Sequence, residues 1–140
     1  MSKPIYEFTA PVVKGNGLGH SLGTPTLNQP LPDGGVSRTL PFGVYFSRCK
    51  IGDKSYPAVS NLGVKPTISD GKQADIAVES YLFGYDGDAY GQNVTTALLY
   101  FRRREMKFPD KEALSAAISK DADAAMEYFG IKDGDMGGQK

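Results

Sequence analysis

The sequence predicts a domain dominated by β-structure: an antiparallel β-barrel with a single helix packed on it. Runs rich in β-branched and aromatic residues, separated by glycine and proline, occupy most of the chain up to residue 104. A clear helical period occurs only after them, over residues 110–129. Because many strands precede one helix, the sheet is expected to close on itself and carry the helix on its outside.

Five runs have the composition of strands. In chain order they are residues 6–13, 43–51, 56–63, 74–85 and 93–104. Pro11 is expected to bend the first run. The turn Gly-Asp-Lys-Ser separates the second run from the third and predicts that these two runs form a hairpin.

The predicted helix has apolar residues at spacings of three and four, namely Leu114, Ala117, Ile118, Ala125 and Tyr128 or Phe129. Asp110 is suited to the N-cap, Glu112 is favourable in the first turn, and Gly130 is a suitable C-terminal stop. The remaining residues 131–140 have little to bury and are predicted to be a flexible tail. The prediction is therefore one barrel domain, residues 1–130, followed by this tail.

Composition limits the partners and the compartment. The 140 residues suit one domain, and 16 Lys and Arg balance 16 Asp and Glu, which argues against nucleic-acid or membrane binding by bulk charge. Cys49 is the single cysteine, so an internal disulfide is impossible, and it is expected in the core of a strand. No signal-peptide pattern or membrane-length apolar run is present. A cytoplasmic monomer acting on small molecules is expected.

The segment KGNGLGHSLGTPTLNQPLP, residues 14–32, is crowded with glycine. Successive amides of a glycine-rich loop can form a concavity that binds anions, and basic side chains can add positive charge. The candidate phosphate-binding residues are Lys14, Gly15, Gly17, Gly19, His20 and Gly23. The pattern is neither a P-loop nor a Rossmann entry. A hairpin loop without a ligand would have a similar composition, so both interpretations stay open.

Thr26 and Asn28 follow this loop and supply neutral oxygens two residues apart. Magnesium prefers oxygen ligands in octahedral geometry and usually keeps waters and nucleotide phosphates among them. The pair is therefore a candidate for the protein part of a magnesium–ATP site. The alternative is that both are ordinary turn residues after Pro25.

Several motifs resemble those of the riboflavin kinase (flavokinase) family, found in bacteria as the C-terminal module of bifunctional riboflavin kinase/FMN adenylyltransferase. They are VVKGNGLGHSLGTPTLN, LPFGVYF, AVSNLGVKPT, VESYLFGYDGDAYG and FRRREMKF, and the similarity extends over residues 10–129. The resemblance implies a six-stranded antiparallel Greek-key barrel with a C-terminal helix. It also implies transfer of the ATP γ-phosphoryl group to the ribityl 5′-hydroxyl of riboflavin, giving FMN and ADP.

The resemblance also assigns roles to residues. Thr26 and Asn28 correspond to the ligands of Mg²⁺ and the nucleotide phosphates, and Glu79 corresponds to the general base. Arg103 and Glu105 correspond to an element that borders the flavin pocket. Strand alternation places Glu79 on the same face as Ala77, Tyr81 and Phe83. The alternative interpretation is that Glu79 is a solvated strand residue and not the general base.

The glycine loop departs from the family pattern, because His20 stands where an arginine or lysine is usual. This difference motivates a second hypothesis, a non-catalytic or weakly active flavin- or nucleotide-binding homologue with the same barrel. A third is an interaction module that binds no flavin. Formation of FMN separates the first hypothesis from the second, and riboflavin binding separates both from the third.

Overall fold

The structure is a computed structural model that describes residues 3–13, 26–31, 40–65, 75–85, 87 and 89–131. One sheet is formed by antiparallel strands in the order β1-β6-β3-β4-β5-β2. The elements are β1 (Tyr6–Pro11), β2 (Leu27–Pro30), β3 (Gly43–Ile51), β4 (Lys54–Lys65), β5 (Asp75–Leu82), β6 (Asn93–Arg104) and α1 (Lys111–Phe129).

The sheet is a nearly closed barrel with Greek-key topology. Strands β3, β4 and β5 form a meander, and β6 returns to lie beside β3. The two edge strands approach each other where the N–H of Val13, just after β1, donates to the carbonyl of Asn28 in β2 at 2.8 Å. The predicted six-stranded barrel with a C-terminal helix is confirmed.

The strand boundaries show where local sequence decides the structure. β3 and β6 begin and end at the predicted residues. β4 begins at Lys54, earlier than predicted, because Gly52 adopts a φ of 60° and reverses the chain within a short turn. β1 ends at Pro11, because the next two residues leave its ladder and form isolated bridges, Val12 with Tyr90 and Val13 with Asn28. β5 ends at Leu82, before the end of the predicted run.

Strand β2 was not among the five runs predicted from composition. It has four residues, Leu-Asn-Gln-Pro, of which only the leucine favours burial, and asparagine and proline are depleted in strands. Pairing with β5 makes it a strand, in the register Leu27↔Ser80 and Asn28↔Glu79. Asn28, predicted as a turn residue or a cation ligand, is therefore part of the sheet, and Thr26 lies immediately before β2.

Two apolar clusters fill the barrel. The first contains Phe8, Ala10, Leu31, Tyr45, Leu62, Val78 and Leu98. The second contains Val12, Leu27, Cys49, Ala58, Leu82, Ala89 and Val94. Cys49 is fully buried, and this burial raises the pKa of its thiol, so the side chain stays neutral. The prediction that Cys49 is a core residue of a strand is confirmed.

Helix α1 packs on the outside of the barrel. The Asp110 side chain accepts the N–H of Ala113 at 2.8 Å, and Gly130 ends the helix with a φ of 71°, so both predicted caps are confirmed. The apolar contact centres on Phe46, Phe83 and Ala125. Within the described ranges, no helix is both long and apolar enough to cross a membrane.

The described elements end within the predicted domain of residues 1–130. Ile131, the first residue of the predicted tail, packs against the apolar cluster beneath α1, and its N–H donates to the carbonyl of Met126 at 2.8 Å. Residues 132–140 lie outside the part of the chain that the structure describes. The predicted flexibility of the tail stays a prediction for those residues.

An ion-pair cluster joins α1 to the end of β6. Asp121 is buried, with 4% of its surface exposed. Its carboxylate accepts hydrogen bonds from Nε and Nη2 of Arg103, at 3.0 and 2.7 Å, and from Nε of Arg102 at 3.2 Å. A buried carboxylate with three donors is well compensated, and removing it would leave two arginines without their counter-charge.

We expect Asp121→Ala to lower the free energy of unfolding by roughly 2–3 kcal/mol, because charge-assisted hydrogen bonds are lost at a buried position. Urea unfolding measures this loss. Asp123→Ala is the matched control: Asp123 is exposed on the same helix, so that variant shares the gain in helix propensity without losing the ion pairs. Equal stabilities of the two variants would show that the cluster contributes nothing.

Candidate active site

Three of the predicted site residues, Asn28, Glu79 and Arg103, lie in one row across the outside of the barrel. The ladders pair Asn28 of β2 with Glu79 of β5, Glu79 with Asn61 of β4, Asn61 with Val44 of β3, and Val44 with Arg103 of β6. Directly paired residues of antiparallel strands point to the same face. Val78 and Leu62, their neighbours in β5 and β4, point into the barrel, so the row lies outside.

Thr26 and Glu79 are in direct contact. The Thr26 hydroxyl donates to Oε2 of Glu79 at 2.7 Å, although the two residues are 53 positions apart in sequence. Both side chains are half-buried, whereas Asn28 is 8% exposed. The structure therefore brings together Thr26, Asn28 and Glu79, which the sequence analysis assigned to one reaction.

This contact has a chemical consequence for both side chains. A hydroxyl that donates its proton to a carboxylate keeps two lone pairs, and these can face a cation or a polar ligand. The hydrogen bond also fixes the orientation of the Glu79 carboxylate relative to β2. A carboxylate held in this way is suited to accept a proton from a ligand placed against the row.

Apolar residues flank the polar row. Tyr81, two residues beyond Glu79 in β5, lies on the same outer face and packs with Phe83 against the apolar cluster under α1. Glu79 is thus at the boundary between the helix-covered part of the barrel and the polar part. The predicted shared face of Glu79, Tyr81 and Phe83 agrees with this arrangement.

Glu105 reaches the row from the segment after β6. Its Oε2 accepts from Nδ2 of Asn61 at 3.5 Å, a long hydrogen bond at an exposed position. Gly63, two residues beyond Asn61 in β4, makes room for it, because a Cβ added at Gly63 would overlap the Glu105 carboxylate. Asn61 therefore lies between two carboxylates: Glu79 is its partner across the ladder, and Glu105 accepts its amide.

Arg103 has a different set of contacts. Its guanidinium binds both carboxylate oxygens of Asp121, and Cζ lies 5.8 Å from the centre of the Phe108 ring. The side chain is half-buried between β6 and α1. The structure thus places Arg103 at the end of the row. Its ion pair with Asp121 connects the end of β6, just before Glu105, to helix α1.

Sequence reasoning missed the contributions of Asn61 and Gly63. Both were part of a quoted motif, but their position beside Glu79 and Glu105 depends on strand pairing, which no local pattern specifies.

Six predicted phosphate-binding residues lie outside the described residues: Lys14, Gly15, Gly17, Gly19, His20 and Gly23. Among the residues that are described, no group of three or more His, Cys, Asp or Glu side chains could hold a metal ion.

Comparison with known sequences identifies one family. A family model described as riboflavin kinase (Flavokinase) matches residues 2–129. The bifunctional riboflavin kinase/FMN adenylyltransferase of Pseudomonas fluorescens is 35% identical over 120 residues, which are 86% of this chain and 37% of that protein. A protein named RNA-binding riboflavin kinase RibR, from Bacillus subtilis, is 33% identical over 118 residues, 84% of this chain and 49% of that protein. The chain thus spans less than half the length of these two relatives.

Solved structures show the same fold. A riboflavin kinase from Trypanosoma brucei superposes with a TM-score of 0.58 at 23% identity, covering 87% of this chain and 78% of that one. A protein titled macrolide-efflux protein, from Streptococcus pneumoniae, superposes with a TM-score of 0.72 at 27% identity, covering 87% of this chain and 38% of that one.

Proposed function

Because the chain belongs to the riboflavin kinase family, we propose that it transfers the γ-phosphoryl group of ATP to the ribityl 5′-hydroxyl of riboflavin. The products are FMN and ADP. The observation that carries this proposal is the hydrogen bond from Thr26 to Glu79, with Asn28 directly opposite Glu79 in the ladder. This geometry joins the residues proposed for the nucleotide to the residue proposed for the acceptor hydroxyl.

Phosphoryl transfer depends on positioning and on neutralised charge more than on covalent chemistry by the protein. Thr26 and Asn28 would hold Mg²⁺ through neutral oxygens, since the Thr26 hydroxyl keeps its lone pairs while it donates to Glu79. When bound, the ion neutralises charge on the nucleotide phosphates. The glycine segment, with Lys14 and His20, is proposed to surround those phosphates through its backbone amides.

Glu79 is proposed as the general base. Its carboxylate takes the proton of the 5′-hydroxyl as that oxygen forms its bond to the γ-phosphorus, and the bond from this phosphorus to the β–γ bridging oxygen breaks to release ADP. The outer face suits this role because riboflavin can approach Glu79 there without displacing the barrel core. Thr26 keeps the carboxylate in one orientation during the approach.

Glu105 is proposed to border the flavin. Its carboxylate is exposed and lies beside Asn61, on the same face as Glu79. Arg103 is proposed to form the wall behind Glu105, because Asp121 already binds the guanidinium and Glu105 follows only two residues later. On this arrangement the flavin lies along the row, with its ribityl end at Glu79.

The proposal includes the partners and the compartment. We propose that the chain acts as a monomer on riboflavin and ATP in the cytoplasm, without a nucleic-acid partner. The equal numbers of acidic and basic residues support this, since phosphate backbones are usually bound by a strong excess of Lys and Arg. The name of the Bacillus subtilis relative makes RNA the informative control ligand.

Incubation of the purified chain with riboflavin, ATP and Mg²⁺, followed by chromatography of the flavins, tests the proposed function. We expect FMN and ADP in equal amounts. Quenching of riboflavin fluorescence without any FMN, at saturating substrates, would contradict the kinase and favour the non-catalytic flavin-binding hypothesis. Absence of both quenching and FMN would leave an interaction module as the explanation.

Gly63→Ala tests whether Glu105 borders the flavin, as proposed. The added methyl group would overlap the Glu105 carboxylate and turn it away from the row. We expect KM for riboflavin to rise about tenfold, in line with a lost contact to a charged group. Stability should not fall, because alanine in a strand costs less chain entropy than glycine. Enzyme kinetics and thermal unfolding measure the two effects.

A double-mutant cycle provides the control for Gly63→Ala. If the effect acts through Glu105, the substitution should change KM little in a Glu105→Ala background. A full additional increase in that background would show that the methyl group obstructs the flavin directly. Unchanged KM in the single variant would remove Glu105 from the proposed flavin site.

A further inference from the structure

A buried polar network lies inside the barrel, directly behind the outer row. Gln29 of β2 is fully buried, and its side chain crosses the interior to the other edge of the sheet. Nε2 donates to the carbonyl oxygens of Ala10 in β1 and Val94 in β6, at 2.9 and 2.8 Å. Oε1 accepts the hydroxyl of Thr96 in β6 at 2.6 Å. Both ends of the amide therefore have partners across the barrel.

These contacts occur where the sheet has little other support. Strand β2 has four residues, and its ladder is formed with β5. On its other side, the described residues contain one bridge, in which Val13 donates to the carbonyl of Asn28 at 2.8 Å. The Gln29 side chain adds a second connection between the two edges, from the inside.

The position of Gln29 also decides which way its neighbours point. Because side chains alternate along a strand, an inward Gln29 requires Asn28 to point outward. A slip of one residue would turn Asn28 into the core and Gln29 onto the surface. An apolar side chain could fill the same volume, but it would lack the directional partners that select one register.

We propose that Gln29 is a positioning residue: from inside the barrel it fixes β2 so that Thr26 and Asn28 face the substrate. This inference rests on the proposed function for its catalytic consequence, whereas its structural part concerns β2 alone. Gln29 touches no substrate. Its effect is exerted through the backbone on the two residues that face outward beside Glu79.

Gln29→Met tests the inference, because methionine has a similar length and no hydrogen-bonding amide. We expect the amide proton of Val13 to exchange with solvent at least about tenfold faster, relative to amide protons of the β3–β4 ladder. The reason is that the contact between the two edges of the sheet, at Val13 and Asn28, opens more often. We also expect KM for Mg-ATP to rise about fivefold or more, with a smaller change in KM for riboflavin.

Two further variants keep the test decisive. Ser47→Ala removes a fully buried hydroxyl from β3, three strands away from β2 in the sheet, where it bonds Ser60 of β4 at 2.6 Å. It should lower global stability without a selective effect on Val13 exchange or on KM for Mg-ATP. If Gln29→Met does not fold, Thr96→Val removes one of the three hydrogen bonds of the amide and should show the same selective effects to a smaller extent.

The inference is overturned if Val13 exchange in the folded Gln29→Met or Thr96→Val variant accelerates only as much as the loss of global stability explains, which is the behaviour expected of Ser47→Ala. It is also overturned if exchange at Val13 accelerates while KM for Mg-ATP stays within about twofold of the parent value. Failure of the proposed function is separate: a parent protein that forms no FMN would remove the kinetic readout, and hydrogen exchange would still decide the role of Gln29.

Discussion

Glu79→Gln is expected to lower kcat by about 10²–10⁴-fold, the usual contribution of a positioned general base. KM for riboflavin and for Mg-ATP should change little, because the base acts mainly in the transition state. Glutamine keeps an oxygen that can accept the Thr26 hydroxyl, which donates to Glu79 at 2.7 Å. The substitution thus removes the proton acceptor with little disturbance of the contact to β2. Steady-state kinetics of FMN formation measures the loss.

Glu7→Gln is the matched control for this variant. Glu7 is an exposed carboxylate of β1, and it is paired with Ala97 in the ladder to β6, away from the row. Its replacement should leave kcat unchanged. If the Glu79 variant retains kcat within about threefold of the parent while folded, the base is another group or the solvent.

Asn28→Ala is expected to weaken binding of Mg-ADP by about 10- to 150-fold, which corresponds to the roughly 1.5–3 kcal/mol of a polar contact to a charged group. Riboflavin binding in the absence of nucleotide should be nearly unchanged, because Glu105, the residue proposed to border the flavin, contacts Asn61 of β4, two strands away from Asn28. Isothermal titration calorimetry measures both affinities. The loss should appear with Mg-ADP and be much smaller with ADP alone.

Asn93→Ala provides the comparison for Asn28→Ala. Asn93 is an exposed asparagine at the start of β6, paired with Pro11 of β1. Its removal should leave nucleotide affinity at the parent value. An Asn28 variant that is folded and still binds Mg-ADP as tightly as the parent would exclude Asn28 from the cation site.

Much of the fold follows from local sequence. β3 and β6 could be delimited because β-branched and aromatic runs lie next to glycine turns, Gly52 after β3 and Gly91 before β6, and α1 because Asp110 and Gly130 cap it. β2 could not be found in this way. Its sequence has weak strand propensity, and its structure comes from pairing with β5 and from the inward amide of Gln29.

The site was predictable in part. Alternation along β5 gave the face of Glu79, and the family resemblance supplied its relation to Thr26 and Asn28, which are 53 and 51 residues away in sequence. The contact itself depends on the pairing of β2 with β5, which no local pattern specifies. The same limit applies to Asn61, which lies beside Glu79 only because β4 pairs with β5.

The most direct test of the site is a crystal structure of the chain with Mg-ADP and riboflavin. We predict Mg²⁺ at about 2.0–2.1 Å from side-chain oxygens of Thr26 and Asn28. The ribityl 5′-hydroxyl should donate to the Glu79 carboxylate at about 2.6–3.2 Å. A complex in which Thr26 and Asn28 are turned away from the cation, and Glu79 is too far from that hydroxyl for a hydrogen bond or one bridging water, would contradict the account.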